Sequence, residues 1–208
     1  MIFYIDTSTP YLYTALYNNG KIINERTKYL AKDLSRYTLD EVSKMFNEVN
    51  IKPIDIKKII VVNGPGSFTG IRIGITLAKL MAFCFNIPIS TISSLEAMKE
   101  SINSEKLIVP IINARHNSCY AAIYNNDTVI QEGMYMSLDR LKLILIGLNK
   151  EYIFVSNDEF DFDTITYNPD YKRIIEKYKN KEEISPHLVN PNYMKLTEAE
   201  ENKMKEDN

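Results

Sequence analysis

The sequence contains no tryptophan and only two cysteines, two histidines and seven glycines among its 208 residues. Cys84 and Cys119 form no CxxC pair and stand among apolar neighbours. We therefore predict two buried, reduced thiols rather than a disulfide or a metal site. His116 and His187 are far apart in the sequence, whereas a helical metallopeptidase motif needs two histidines one helical turn apart. These absences argue against a zinc enzyme.

The charge of the chain has no strong bias, because 25 Lys and Arg residues are balanced by 27 Asp and Glu residues. Tight binding of nucleic acid requires clustered cations that neutralise phosphates, so we expect this chain alone to bind nucleic acid weakly. The most apolar stretch, residues 71–89, is interrupted by Arg72 and Lys79, which argues against a membrane-spanning helix. The opening residues MIFYID do not resemble a secretory signal, and we predict a cytoplasmic protein.

The two halves of the chain show the same order of predicted elements. The first half reads as strands at 2–6, 11–17 and 21–29, a helix at 33–49, a strand at 59–62, a helix ending near 85 and a strand at 89–92. The second half reads as strands at 107–113, 118–124 and 128–136, a helix at 138–148, a strand at 152–155 and a helix at 169–178. We therefore predict a duplicated α/β lobe, divided as 1–103, 104–196 and a charged tail at 197–208.

Local signals support several of these boundaries. The turn Asn18-Asn19-Gly20 separates two strands, and Ser93 with Glu96 forms a capping box that opens a short helix. An acidic run from Asp158 to Asp163 lacks the glycine of a calcium-binding loop. We predict a solvated loop there.

A glycine-rich turn, GPGSFTG at residues 64–70, is the most specific motif in the chain. It leaves a strand and opens a helix, and backbone N–H groups at such a position can hold phosphate or another anion. The spacing matches neither the P-loop nor the GxGxxG dinucleotide motif. A tight structural turn and an anion site both remain open on this evidence.

The helix after this turn carries two apolar stripes. Residues 71, 75, 78, 82 and 85 lie on one side, and residues 73, 77, 80 and 84 lie nearly opposite. Gly70 and Gly74 lie between the stripes, where another helix backbone could approach closely. A sheet can cover one stripe, whereas the other needs the helix at 33–49 or a second molecule.

Four segments resemble the bacterial TsaB family. They are IDTST at 5–9, NGPGSFTGIRIGITLAK at 63–79, NARHNSCYAAIY at 113–124 and PNYMKLTEAE at 191–200. The resemblance implies an actin-like, Hsp70-like (ASKHA) fold of two related α/β lobes, each with a mixed sheet flanked by helices. It also implies a partnership with a TsaD protein in forming N6-threonylcarbamoyladenosine next to the tRNA anticodon.

The family resemblance implies a non-catalytic dimerisation subunit with no catalytic residue, no metal and no cofactor. The expected partner is a TsaD-like catalytic subunit, with an ATPase subunit as a further candidate and a homodimer when the chain is alone. Contact with tRNA is expected only through the complex. We assign the partner surface to the first-lobe helices, with candidate residues Leu39, Val42, Phe46, Gly70, Gly74, Leu77, Ala78 and Met81.

An ATP-using enzyme of this fold would need a second glycine-rich loop in the second lobe. After residue 74 the glycines are Gly133 and Gly147, which stand apart. We therefore expect half of a nucleotide site, a degenerate phosphate-type loop made of Asp6, Thr9, Gly64, Gly66, Ser67, Thr69 and Gly70. The alternative functions are an ATP-dependent phosphotransferase or peptidase of the same fold, and a homodimeric binding protein with another partner.

Overall fold

The computed structural model describes residues 1–194, so the predicted tail at 197–208 lies outside the described residues. Two five-stranded mixed sheets form the framework. The first sheet consists of β1 (Ile2–Asp6), β2 (Tyr11–Asn18), β3 (Lys21–Tyr29), β4 (Lys58–Val62) and β5 (Ile89–Ile92). The second consists of β6 (Leu107–Asn113), β7 (Ser118–Asn125), β8 (Thr128–Ser137), β9 (Tyr152–Ser156) and β10 (Ile165–Thr166). The helices are α1 (Leu34–Glu48), α2 (Phe68–Phe85), α3 (Ser94–Lys99), α4 (Leu138–Leu148) and α5 (Tyr171–Tyr178).

The two sheets share one topology. The strand orders are β3-β2-β1-β4-β5 and β8-β7-β6-β9-β10, so corresponding strands occupy corresponding places. In each sheet the first three strands are antiparallel neighbours and the last two pair in parallel. The predicted duplication of an α/β lobe is confirmed. The sequence analysis missed β10, which is only two residues long.

Local sequence accounts for the sharp boundaries. Asn19 and Gly20 both have positive φ and connect β2 to β3, as a two-residue hairpin turn requires. Ser93 and Glu96 form the predicted capping box at the start of α3. Every residue of β4 is buried, because the strand lies in the middle of the sheet and is covered on both faces.

The helices α1 and α2 cover one face of the first sheet. Val42 and Phe46 of α1 and Ile71 and Ile75 of α2 join Phe3 and other sheet residues in one buried cluster. By length and composition α2 is apolar enough to cross a membrane, with a mean hydropathy of 1.5. Seven of its 18 residues are buried within the fold, so one side of α2 packs on the first sheet and the remaining residues are partly or fully exposed.

The opposite face of the first sheet packs against the second lobe. Tyr4 and Tyr13 share a buried cluster with Ile108 of β6, Val155 of β9 and Ile174 of α5. A third cluster lies between the second sheet and α4. The two lobes are therefore joined by a continuous apolar core.

Two segments assigned to the second lobe by sequence lie on the first one. Helix α5 contacts β1, β2 and β3. Farther along, Ile184 pairs with Ile89, and the Asn192 N–H donates to the Asn63 carbonyl at 2.7 Å. The division at residue 103 stays a prediction, because the chain crosses back after the second sheet.

Candidate functional site

The glycine-rich turn packs tightly against the loop between β1 and β2. The Thr7 hydroxyl donates to the Gly70 carbonyl at 2.7 Å and accepts from the Gly74 N–H at 3.0 Å. A Cβ at either glycine would overlap an oxygen of Thr7. The first turns of α2 can therefore pack directly on this loop only because positions 70 and 74 are glycines.

Close approach also explains the other two glycines of the turn. Gly66 has a φ of 149°, and a Cβ there would overlap the Ser8 carbonyl oxygen. A Cβ at Gly64 would lie 2.7 Å from the Asn192 carbonyl oxygen. The motif thus acts as a packing element between three chain segments, and anion binding by it stays a prediction.

The start of α2 uses its polar groups internally. Ser67 is the N-cap, and its hydroxyl accepts from the Gly70 N–H at 3.2 Å. The Ser67 N–H donates to the Ser8 carbonyl at 2.7 Å. A self-capped helix end has fewer N–H groups free for a phosphate.

Asp6 lies behind this turn and is 1% exposed. Its Oδ1 accepts from the Ser8 N–H at 2.7 Å, while Oδ2 has no hydrogen-bond partner among the described residues. Burial raises the pKa of Asp6 to about 6, although hydrogen bonding by Ser8 acts in the opposite direction. Asp6 is thus a desolvated carboxyl at the end of β1.

A cleft of about 430 Å³ lies between the two lobes. Of the predicted phosphate-type residues, Thr9, Gly66, Ser67 and Thr69 line it, whereas Asp6, Gly64 and Gly70 do not. The second lobe contributes Asn113, Arg115, Asn157, Asp158 and others. The structure therefore brings only part of the predicted set to one cavity.

Asp158 is a cleft residue that the sequence analysis placed in a solvated loop. Its Oδ2 accepts from the Asn113 N–H at 2.7 Å. Burial raises the pKa of Asp158, and this hydrogen bond opposes the shift. The rest of the acidic run is a loop with Glu159, Asp161 and Asp163 exposed, as predicted. Asp158 alone is drawn into the cleft, because β9 ends beside β6, which no local pattern in the run could indicate.

The helices α1 and α2 present an apolar surface to solvent. Leu80 is 58% exposed and Phe83 is 69% exposed, and Leu39 and Phe85 are also exposed. A groove between the two helices has Val42, Phe46 and Met81 on its walls together with Leu39 and Leu77. We name this area the helix face, consisting of Leu39, Leu77, Leu80, Phe83 and Phe85.

Six of the eight predicted partner residues do not belong to the helix face. Val42, Phe46 and Met81 are buried on the walls of the α1–α2 groove, and the other three lie deeper in the lobe. Gly70, Gly74 and Ala78 are buried, and the two glycines contact Thr7 of their own lobe. Assigning them to an exposed partner patch was wrong, because the stripe that contains Ala78 packs on the sheet. Cys84 is exposed on the helix-face side and lines the α1–α2 groove, which corrects the prediction of two buried thiols.

A C-terminal strap, residues 186–193, lies along the other flank of α2. The Lys79 Nζ donates to the Val189 carbonyl at 3.0 Å, and the Arg72 Nε donates to the Tyr193 hydroxyl at 2.7 Å. The Arg72 guanidinium also lies 3.8 Å from the centre of the Phe68 ring. The two cations of α2 are thus bound to its own chain, an arrangement that the sequence analysis did not predict.

Within residues 1–194, no group of three or more His, Cys, Asp and Glu side chains could hold a metal ion. His116 lies in the turn between β6 and β7, and His187 lies on the strap against Phe83.

Comparisons with known proteins agree with this architecture. Residues 28–173 match the family model described as TsaD: tRNA N6-adenosine threonylcarbamoyltransferase. The chain is 32% identical over 217 residues to the tRNA threonylcarbamoyladenosine biosynthesis protein TsaB of Bacillus subtilis (strain 168), with 94% of each chain covered. It is 30% identical over 126 residues to the protein of the same name from Escherichia coli (strain K12), covering 59% of this chain and 54% of that one.

Solved structures show that the fold is shared. A Pseudomonas aeruginosa protein described as similar to peptidase YEAZ superposes with a TM-score of 0.79 at 17% identity, covering 93% of this chain and 99% of that one. A second structure, YeaZ from the same organism, gives a TM-score of 0.76 at 17% identity, covering 92% and 98%. The predicted two-lobed fold is confirmed.

Proposed function

The chain belongs to the TsaB family, and on that premise we propose that it is a non-catalytic subunit that pairs with a TsaD-like catalytic protein. The pair forms N6-threonylcarbamoyladenosine next to the tRNA anticodon, and the chemistry takes place on the partner. The observation that carries the proposal is the helix face. An apolar surface of this kind on a soluble domain is typical of a protein interface.

The match to the TsaD family model supports the choice of partner. The matched range, residues 28–173, contains both α1 and α2, so we infer that a TsaD-like protein carries helices equivalent to these two. Two such helix faces can pack by the same ridges and grooves in a pseudo-symmetric pair. The same geometry allows a homodimer when the partner is absent.

The charge of the chain supports an indirect role towards tRNA. With a net charge of -2, the chain supplies little of the phosphate neutralisation that tRNA binding needs. The TsaD-like partner therefore supplies most of the tRNA contacts, with an ATPase subunit as a further component. We place this assembly in the cytoplasm.

The enzymatic alternatives receive less support from the described residues. The start of α2 is capped by Ser67, and the glycines of its turn are required by packing. Residues 1–194 contain neither a second glycine-rich loop nor a cluster of metal-ligating side chains. A kinase or a metallopeptidase would need one of these two features.

The proposal is tested by placing a charge on the helix face. Leu80→Glu should leave the fold intact, since Leu80 is 58% exposed, but should weaken association with a TsaD-like protein by tenfold or more, roughly 1.4 kcal/mol. Leu143→Glu is the matched control, because Leu143 is an exposed leucine of α4 in the second lobe. Calorimetric titration measures association, and mass spectrometry of tRNA nucleosides measures the modification in cells. Normal pairing by the Leu80 variant would refute the helix face as the interface.

A further inference from the structure

A groove of about 810 Å³ lies between α2 and the C-terminal strap. We name it the strap groove. Its lining residues include Arg72, Lys79, Leu80 and Phe83 on α2 and Pro186, His187, Val189 and Pro191 on the strap. Leu80 and Phe83 also belong to the helix face, so the groove continues that face across α2. The pairing of helix faces assigns no role to the strap side of this groove.

The strap is fixed against the first lobe, so the groove is preformed. Val189 is 1% exposed and belongs to the apolar cluster beneath α2. The Lys79 Nζ donates to the Val189 carbonyl at 3.0 Å, and the Asn192 N–H donates to the Asn63 carbonyl at 2.7 Å. A partner that binds here does not have to order this wall, which lowers the entropic cost of binding.

The strap groove is positively charged. Arg72 and Lys79 line it, and no aspartate or glutamate is found among the described residues of its lining. The Arg72 Nε donates to the Tyr193 hydroxyl and Lys79 donates to strap carbonyls, so neither cation is paired with a carboxylate within residues 1–194. Hydroxyl and carbonyl oxygens do not neutralise a positive charge. Both cations therefore remain able to attract an acidic group.

Apolar side chains accompany the two cations. Leu80 and Phe83 are exposed, and the Phe83 ring meets the His187 ring edge to face with ring centres 5.8 Å apart. Leu188 of the strap is also exposed and extends this apolar area. A surface that combines unpaired cations with exposed apolar groups is complementary to a protein segment that carries carboxylates beside apolar side chains.

We propose that the strap groove binds an acidic segment of the TsaD-like partner, with carboxylates at Arg72 and Lys79 and an apolar side chain against Phe83. This binding rests on the proposed function, because a partner seated on the helix face lies next to the groove through Leu80 and Phe83. It adds a salt-dependent component to the pairing, since salt screens attraction between exposed charges.

The first experiment compares the association of the complete chain with a TsaD-like protein at about 50 mM and about 500 mM NaCl, measured by calorimetric titration. Wild-type association should weaken as salt rises. Lys79→Gln keeps an N–H donor for the strap carbonyls but removes the charge. It should weaken association about fivefold at low salt and less than about twofold at high salt. Lys142→Gln is the matched control, because Lys142 is an exposed lysine of α4 in the second lobe.

Carbodiimide coupling identifies the group that Lys79 contacts, because this reagent joins an amine to an adjacent carboxylate. Mass spectrometry of the coupled complex should show Lys79 linked to an aspartate or glutamate of the TsaD-like protein. The rival occupants are acidic residues of this chain, including Glu198, Glu200 and Glu201, which follow the strap in sequence. A link from Lys79 to any of them, in the same or in a second copy, would overturn the proposal.

Leu39→Glu separates the failure of the strap groove from the failure of the proposed function. Leu39 is an exposed residue of the helix face and does not line the strap groove. If Leu39→Glu loses association while Lys79→Gln has no effect, or the same effect at both salt concentrations, only the groove assignment is wrong. Normal association by Leu39→Glu would refute the helix face and the groove together. Thermal melting of each variant verifies that the fold is retained.

Discussion

The hydroxyl oxygen of Thr7 lies 3.0 Å from the backbone nitrogen of Gly74, and this hydrogen bond holds α2 against the β1–β2 loop. The same hydroxyl donates to Gly70 one turn earlier. The contact leaves no room for a side chain at position 74. Gly74 is therefore a position of close packing inside the lobe.

We predict that Gly74→Ala lowers the free energy of unfolding by about 1–3 kcal/mol, because the new methyl group overpacks Thr7. Chemical denaturation measures the change. Gly147→Ala is the matched control: Gly147 lies in α4 with open space around its Cα, so the alanine should raise helix stability by up to about 1 kcal/mol. If the Gly74→Ala variant keeps full stability but no longer associates with the TsaD-like partner, Gly74 lies in the interface and the packing assignment is wrong.

The two cysteines should react at very different rates in the native protein. Cys84 is exposed, whereas Cys119 is buried and burial raises its pKa to about 11. At dilutions where the chain is monomeric, we predict that iodoacetamide labels Cys84 alone, and that denaturant is needed to label Cys119. Mass spectrometry of peptides identifies the site.

Association should protect Cys84, because this residue lines the α1–α2 groove beside the helix face. Adding a TsaD-like partner should slow the labelling at Cys84. The Leu80→Glu variant provides the control, since it should react equally fast with and without partner. Unchanged labelling in the wild-type complex would contradict pairing through the helix face.

Asp6 should make the protein less stable as the pH rises. Its folded pKa is about 6, above the unfolded value near 4, so the folded state binds the proton more tightly. The stabilising contribution is present below pH of about 4 and is lost as the pH rises through about 6. Asp6→Asn retains an oxygen for the Ser8 N–H and removes the titration.

The comparison of wild type with Asp6→Asn isolates this effect. We predict that the variant gains stability relative to wild type by roughly 1–3 kcal/mol between pH 4 and pH 8. Urea denaturation at both pH values measures the difference. A difference that does not change with pH would contradict a raised pKa for Asp6.

Glu100 should contribute in the opposite sense. It is 1% exposed and accepts from Lys99 at 2.9 Å, Lys177 at 2.6 Å and Arg173 at 2.9 Å. Burial raises its pKa, but the bonds and charges of Lys177 and Lys99 outweigh burial and lower it. The stability that it provides is therefore present above its unfolded pKa and is lost as the pH falls.

We predict that Glu100→Gln costs about 3–5 kcal/mol at neutral pH, because three cations lose their shared buried partner. Denaturation at neutral pH measures this cost, which should shrink in acid as wild-type Glu100 becomes protonated. Glu151→Gln is the control, since the Glu151–Lys106 pair is exposed and should contribute little. Equal costs for the two variants would show that the buried cluster is not stabilising.

The sequence by itself determined the order and nearly the full extent of the secondary structure. The Asn19-Gly20 hairpin, the Ser93–Glu96 capping box and the repeated strand order are all confirmed. These features depend on backbone conformation and hydrophobic period within a few neighbouring residues. The TsaB motifs then identified the family.

Only the tertiary structure decided which side of each element meets solvent. Helix α2 carries two apolar stripes, and its own composition could not show that Ala78 faces the sheet while Leu80 and Phe83 are exposed. Thr7, which is 67 residues away in the sequence, leaves no room for a side chain at position 74. Asp158 enters the cleft because β9 pairs with β6. Burial depends on contacts between segments far apart in the chain, and for a helix that is apolar on two sides the hydrophobic period alone cannot show which side is covered.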